Sequence, residues 1–80
     1  GIRVNALHSG PVDNRMMRSI EEQAAPGDAA AVRASFAARV PLGRYATNEE
    51  IAAMAAFLVS DDSAYCNGAS FVVDGGMLAA

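Results

Sequence analysis

The fold of this chain is decided by residues 4–14, which read VNALHSGPVDN. A short apolar run that favours β-structure stops here at a Gly-Pro pair, and a polar segment follows. Pro11 has a fixed φ and biases Gly10 towards an extended or turn conformation. In open α/β sheets, ligands bind beyond the carboxyl ends of the strands. The segment therefore predicts a strand, a tight turn and a candidate ligand site, in that order.

The composition is that of a globular protein and argues against two classes of partner. The 80 residues are 52% hydrophobic and 19% charged, with a formal net charge of −3. All six basic residues are arginines and they are scattered, so no basic stripe is present to bind nucleic acid or an anionic membrane. The single cysteine, Cys66, cannot form an internal disulfide, and we interpret its thiol as structural.

The segment after the turn predicts two short helices. The first covers 15–25, the second covers 29–39 with Asp28 as its N-cap, and Pro26-Gly27 separates them. Two short helices after a strand end are typical of a movable cover over a site, but also of an ordinary protein surface. We take residues 14–42 as a candidate substrate-lid segment.

The second half predicts a long helix and a last strand. Thr47 and Glu50 form a capping box that starts the helix, and the polar run 60–63 ends it. An uninterrupted buried strand is predicted over 70–73. The expected buried stripe of the helix consists of Ile51, Met54, Ala55, Leu58 and Val59.

This order of elements predicts an α/β fold with a parallel sheet. The first strand is expected over 2–7, and the helical crossover makes it parallel to the strand at 70–73. Two parallel strands do not form a stable sheet alone, so neighbouring strands are expected outside the sequence. Since Gly1 also opens directly in a strand-like run, we expect residues 1–80 to be a fragment that ends a doubly wound domain.

Five segments of the chain resemble, in order and spacing, the C-terminal third of short-chain dehydrogenases/reductases. They are 2–6 IRVNA followed by 10–14 GPVDN, 40–45 VPLGRY, 47–51 TNEEI, 57–62 FLVSDD and 72–76 VVDGG. The resemblance covers essentially the whole chain.

The resemblance implies a Rossmann-like fold and an NAD- or NADP-dependent oxidoreductase, which transfers hydride between nicotinamide and an alcohol or carbonyl substrate. The backbone around Val12 is implied to meet the nicotinamide carboxamide. The implied cofactor-binding residues are Ser9, Gly10, Pro11, Val12 and Asn14. The residues assigned to the substrate lid are His8, Met16 and Met17, for which packing or structural roles are the alternative.

Two absences leave a non-catalytic interpretation open. The family's catalytic tyrosine precedes a lysine by four residues, whereas this chain contains no lysine. No glycine-rich strand-to-helix turn is present to bind a pyrophosphate. We therefore assign no catalytic residue and expect the 80 residues alone to be inactive. The alternative is a truncated pseudo-enzyme or a fragment that acts only in association.

The resemblance also implies self-association, as a homodimer or homotetramer, through the long helix and the last strand. We expect a cytoplasmic protein without nucleic-acid or membrane partners. The adjacent acid pairs at 21–22, 49–50 and 61–62 are interpreted as solvated surface or helix caps, not as a metal site.

Overall fold

The computed structural model describes residues 1–79, which form an α/β unit with two parallel strands and three helices. The strands are β1 (Ala6–Ser9) and β2 (Ser70–Val73). The helices are α1 (Arg15–Ala24), α2 (Ala29–Ala38) and α3 (Asn48–Val59), with short 3₁₀ helices at Asp61–Ser63 and Met77–Ala79. Among these residues, no helix is both long and apolar enough to cross a bilayer.

The two strands pair in parallel, as predicted, but β1 starts later than expected. The register runs from Ala6 opposite Ser70 to Ser9 opposite Val73. Residues 2–5, predicted as strand, lie outside the ladder because they bond to a turn instead. The Val4 N–H donates to Asn67 Oδ1 at 3.1 Å, and the Val4 carbonyl accepts from Gly68 N at 2.7 Å.

Two polar side chains in the segment before β1 join it to the end of α3 and to the turn that follows. The Arg3 guanidinium donates to four carbonyl oxygens, those of Leu58, Ser60, Ser63 and Cys66. Asn5 donates to the Cys66 carbonyl at 3.1 Å and accepts from Ala69 N at 3.1 Å. Both residues satisfy backbone groups and therefore have a structural role.

The first two helices follow the sequence pattern closely and pack against each other. Asn14 caps α1, since its Oδ1 accepts from Met17 N at 2.9 Å. Asp28 occupies the N-cap position of α2 but makes no side-chain capping hydrogen bond, contrary to expectation.

The capping box of α3 is present, as predicted. Two of the five residues predicted to form the buried stripe of α3 are instead exposed. Ile51, Met54 and Leu58 are half-buried. Ala55 is exposed, and Val59 is 85% exposed, because these two positions lie on a side of α3 that the described chain leaves uncovered.

The buried core is small and lies between the helices and the turn rather than under the strands. Within residues 1–79, Val40 and Tyr45 are the buried hydrophobic residues, and Glu21 and Ser63 are the buried polar ones. The prediction that the last strand is buried throughout is wrong. Val72 is 48% exposed, whereas Phe71 and Val73 are half-buried.

Candidate functional site

The turn that follows β1 is hydrogen-bonded to two other segments, the end of β2 and the connector before α3. Gly10 N donates to the Val73 carbonyl at 3.1 Å, which extends the strand pairing by one residue. Beyond Pro11, an isolated parallel bridge pairs Val12 with Ala46. In that bridge Ala46 N donates to the Pro11 carbonyl and Asp13 N donates to the Ala46 carbonyl, both at 2.9 Å. The turn is thus held at the carboxyl end of β1, the edge at which α/β sheets bind ligands.

The bridge leaves the main chain of Val12 itself without a partner. Among residues 1–79, neither its N–H nor its C=O is hydrogen-bonded to the chain, because Ala46 bonds only to the residues on either side. Val12 is half-buried. Asn14 lies two residues further on, and its capping bond uses only the side-chain oxygen, so the amide nitrogen remains a donor. This region therefore offers donors and an acceptor to a planar polar ligand.

Two cavities flank the turn and share Gly10 and Pro11. The cavity on the side of α1 and α2, the helix-side pocket, has a volume of about 320 Å³. It is lined by Ser9, Gly10, Pro11, Met17, Ile20, Phe36, Arg39 and Met77. The strand-side pocket, of about 100 Å³, is lined by Gly10, Pro11, Val40, Leu42, Arg44, Ala46, Glu50, Val73, Asp74 and Gly75.

Of the three residues assigned to the substrate lid from sequence, one lines a pocket and two do not. Met17 lines the helix-side pocket. Met16, its neighbour on α1, is 73% exposed and lines neither of the two pockets. His8 is exposed in β1 opposite Val72, and it too lies outside both pockets.

A buried acid, Glu21, lies beside the site and corrects the surface interpretation of the acid pair at 21–22. It is 3% exposed and accepts a hydrogen bond from the hydroxyl of Tyr45, which is 5% exposed. Burial, together with this bond and the charge of Glu21, raises the pKa of Tyr45 to about 12. The phenol therefore stays protonated as a donor across the neutral pH range.

Sequence reasoning missed Glu21, Tyr45 and Arg33 as a connected group. Arg33 lies with its guanidinium carbon 4.4 Å from the centroid of the Tyr45 ring. The one available signal was Tyr45, a large aromatic residue in an otherwise turn-rich connector. Its partners lie 24 and 12 positions away, a separation that no local pattern reveals.

Two carboxylates near the site, the exposed Glu50 and the half-buried Asp74, are held in their charged form. The Arg44 guanidinium, followed by the Thr47 N–H, lowers the pKa of Glu50 to about 2. Backbone N–H groups of Leu78, Gly76 and Met77 hold the pKa of Asp74 below its ordinary value. Within residues 1–79, no group of three His, Cys, Asp or Glu side chains is placed to hold a metal ion.

The chain is similar to known oxidoreductases over nearly its whole length. A family model described as enoyl-(acyl carrier protein) reductase matches residues 1–78. The chain is 45% identical to oxidoreductase UcpA of Salmonella typhimurium over 76 residues, which are 95% of this chain and 29% of that protein. It is 44% identical to cis-4-hydroxycyclohexanecarboxylate dehydrogenase of Sinomonas cyclohexanicum, over 99% of this chain and 28% of that protein.

Solved structures agree with these relatives. Levodione reductase superposes with a TM-score of 0.94 at 37% identity, over 99% of this chain and 31% of that one. A short chain dehydrogenase family protein from Francisella tularensis gives a TM-score of 0.91 at 32% identity, over 99% of this chain and 34% of that one. The chain thus spans 28–30% of the length of the curated relatives it matches, and its fold is a portion of a Rossmann-like α/β domain. From the family match and these structures together, this chain belongs to the short-chain dehydrogenase/reductase family.

Proposed function

We propose that this chain forms the nicotinamide and substrate side of an NAD- or NADP-dependent oxidoreductase. The reaction is hydride transfer between the nicotinamide ring and an alcohol or carbonyl carbon. The observation that carries the proposal is the unpartnered N–H and C=O of Val12, next to a strand end. A primary carboxamide has the complementary acceptor and donor. The relatives named as dehydrogenases support the reaction class.

The residues of the turn suit a nicotinamide group. Val12 would hold the carboxamide through its main chain, and the Asn14 amide nitrogen would add a donor. Ser9, Gly10 and Pro11 would form the wall beside the ring, since all three line the helix-side pocket. When bound, NAD or NADP supplies the hydride acceptor or donor. The chain's own part is to orient the ring and to exclude water from it.

The helix-side pocket is our proposed substrate site, with residues 14–42 as its lid. Met17, Ile20, Phe36 and Met77 give it apolar walls, which suit the carbon skeleton of a small alcohol or ketone. Arg39 is the one charged residue among its lining residues. The family's Tyr-x-x-x-Lys pair is absent from the printed sequence, so proton transfer is assigned to residues outside it.

A second candidate function is association without catalysis. The exposed Val59 on α3 and Val72 on β2 favour it, because exposed apolar residues on one helix and one strand suit an interface with another copy. In the enzyme, the same surfaces are our proposed interface of a homodimer or homotetramer. We also propose a cytoplasmic location.

The test is a turnover and binding assay on the full-length protein. Nicotinamide absorbance would be followed with NADH or NADPH and a panel of small ketones, and in reverse with alcohols. We expect turnover with at least one cofactor and substrate pair. A protein that self-associates but neither binds a nicotinamide cofactor nor turns over would support the second candidate instead.

A matched pair of variants tests the position of the site. Val12→Asp places a negative side chain at the proposed carboxamide site, so the cofactor Kd should rise about tenfold or more. Tyr65→Asp introduces the same charge at a fully exposed position before β2, at the end of the strands opposite the turn, and should leave the Kd unchanged. Equal cofactor affinity in both variants would rule out the turn as the nicotinamide site.

A further inference from the structure

Four charged or polar side chains from four separate segments meet behind the turn. They are Asp13 from the turn, Glu21 from α1, Arg33 from α2 and Tyr45 from the connector before α3; we call them the four-segment cluster. Tyr45 donates to Glu21, and Arg33 lies over the Tyr45 ring and binds Asp13. The cluster therefore connects the turn, α1 and α2, three of the segments that surround the helix-side pocket.

The bond between Glu21 and Tyr45 is the buried centre of the cluster. Both residues are at most 5% exposed, and a buried carboxylate is unfavourable unless it is hydrogen-bonded and its charge is balanced. The Tyr45 hydroxyl supplies the hydrogen bond. Arg33 supplies the balancing charge: the hydrogen bond and charge of Asp13, followed by the charge of Glu21, hold the pKa of this guanidinium above its ordinary value.

On the opposite side of the cluster from Glu21, Arg33 binds the Asp13 carboxylate through two guanidinium nitrogens. Nη1 lies 3.1 Å from Oδ1 of Asp13, and Nη2 lies 3.0 Å from Oδ2. This two-point geometry fixes direction as well as distance. Arg18 of α1 also donates to Asp13 Oδ1, at 2.9 Å. Both helices are therefore joined to the residue that directly follows Val12.

The main chain beside Tyr45 completes the connection to the turn. Ala46 is hydrogen-bonded to Pro11 and to Asp13, on either side of Val12. Tyr45, whose hydroxyl binds Glu21 of α1, is therefore one peptide unit away from the residue that bonds to the main chain on both sides of Val12.

We propose that Tyr45 and Glu21 are positioning residues, whose buried hydrogen bond holds α1 and α2 in register with the turn. This bond is the link through which binding at the Val12 main chain reaches the two helices over the pocket. This inference rests on the proposed function for its ligand. The bond that joins helix and turn does not depend on that function.

The test uses Tyr45→Phe in the full-length protein, with amide hydrogen exchange as the readout. The variant removes only the hydroxyl and leaves the Glu21 carboxylate buried without its donor. Without cofactor, the α1 amides should exchange about fivefold faster or more than in wild type. With NADH or NADPH, wild type should gain protection in both the turn and α1, whereas Tyr45→Phe should gain it in the turn alone.

Two further variants separate positioning from general stability. Glu21→Gln keeps an acceptor oxygen for Tyr45, and should retain the transmitted protection of α1. Arg33→Lys keeps the charge but loses the stacking and the two-point bond; at an exposed edge of the cluster it should fold normally and show part of the loss. In substrate kinetics, Tyr45→Phe should raise KM while kcat changes less, as expected for a lid that is ordered less often.

The outcomes separate this inference from the proposed function. If α1 exchanges at the wild-type rate in Tyr45→Phe, or keeps its cofactor-induced protection, the positioning role is wrong. If no cofactor protects the turn in wild type, the proposed function fails. The exchange of α1 without cofactor then still decides whether the Tyr45 hydroxyl holds the helix.

Discussion

Gly10 and Asp74 lie in contact where the two strands end: a Cβ atom on Gly10 would lie 3.0 Å from the Asp74 Cα and 3.1 Å from its Cβ. A glycine at this position allows a ligand to approach the backbone closely. The structure shows an intramolecular reason for it as well, because the space for its side chain is filled by the last turn of the chain.

Replacing Gly10 by alanine should therefore destabilise the protein by about 1–3 kcal/mol, the usual range for overpacking against a backbone that cannot move freely. Urea unfolding of the full-length protein measures this. Gly43→Ala is the control, because a Cβ there meets open space and the change tests only the strain of φ +77. Gly10→Ala should also weaken cofactor binding, which Gly43→Ala should not. A Gly10→Ala variant as stable as wild type would contradict the close contact.

The capping box of α3 makes a separate prediction at a distance from the turn. Thr47 Oγ1 accepts from Glu50 N at 3.1 Å, and Thr47 N donates back to Glu50 Oε1 at 2.8 Å. Thr47→Ala should lower the free energy of unfolding by about 1 kcal/mol without changing the cofactor Kd. Thr47→Ser keeps the hydroxyl and should remain near wild type. Equal losses in both variants would show that the hydroxyl is not the stabilising group.

Arg3 is predicted to be irreplaceable by lysine. Its planar guanidinium reaches four carbonyls at the end of α3, at distances from 2.8 to 3.3 Å, and a single ammonium group does not span them. Arg3→Lys should therefore cost about 2 kcal/mol in the free energy of unfolding, whereas Arg15→Lys, on the exposed face of α1, should stay within about 0.5 kcal/mol. If Arg3→Lys left the free energy of unfolding unchanged, water would satisfy these carbonyls equally well.

The low pKa of Glu50 predicts a specific loss of stability in acid. Its carboxylate titrates at about 2 in the folded protein against an ordinary value of 4.5, so its contribution is present above pH 4.5 and is lost as the pH falls towards 2. Glu50→Gln keeps the cap but cannot pair with Arg44. The Tm difference between wild type and Glu50→Gln should be small, because the pair is exposed, and should vanish by about pH 2. A difference that persists or grows in acid would contradict this account.

The local part of the fold was predictable from the sequence because it depends on local rules. Thr47 with Glu50 marked the start of α3, Pro26-Gly27 separated the first two helices, and the crossover length required parallel strands. These features need no knowledge of distant residues. The same holds for the turn at Gly10-Pro11, which both cavities share.

The errors arose where distant contacts override local pattern. Val4 is apolar and β-favouring, yet it bonds to the turn at 67–68 instead of extending β1. Val59 fits the apolar stripe of α3 but is exposed, because no described segment packs on that side of the helix. Glu21 was interpreted as a surface acid, and its hydrogen bond with Tyr45, beside Arg33, makes its burial favourable. A pattern of spacing along one helix does not report such a partner.

The central claim is that the main chain of Val12 binds the nicotinamide carboxamide, and a crystal structure of the full-length protein with NADH or NADPH tests it most directly. The carboxamide nitrogen and oxygen should lie about 3 Å from the Val12 C=O and N–H, respectively, with the ring beside Gly10 and Pro11. A bound cofactor whose nicotinamide lies away from Val12, with the Val12 main chain still unpartnered, would contradict it.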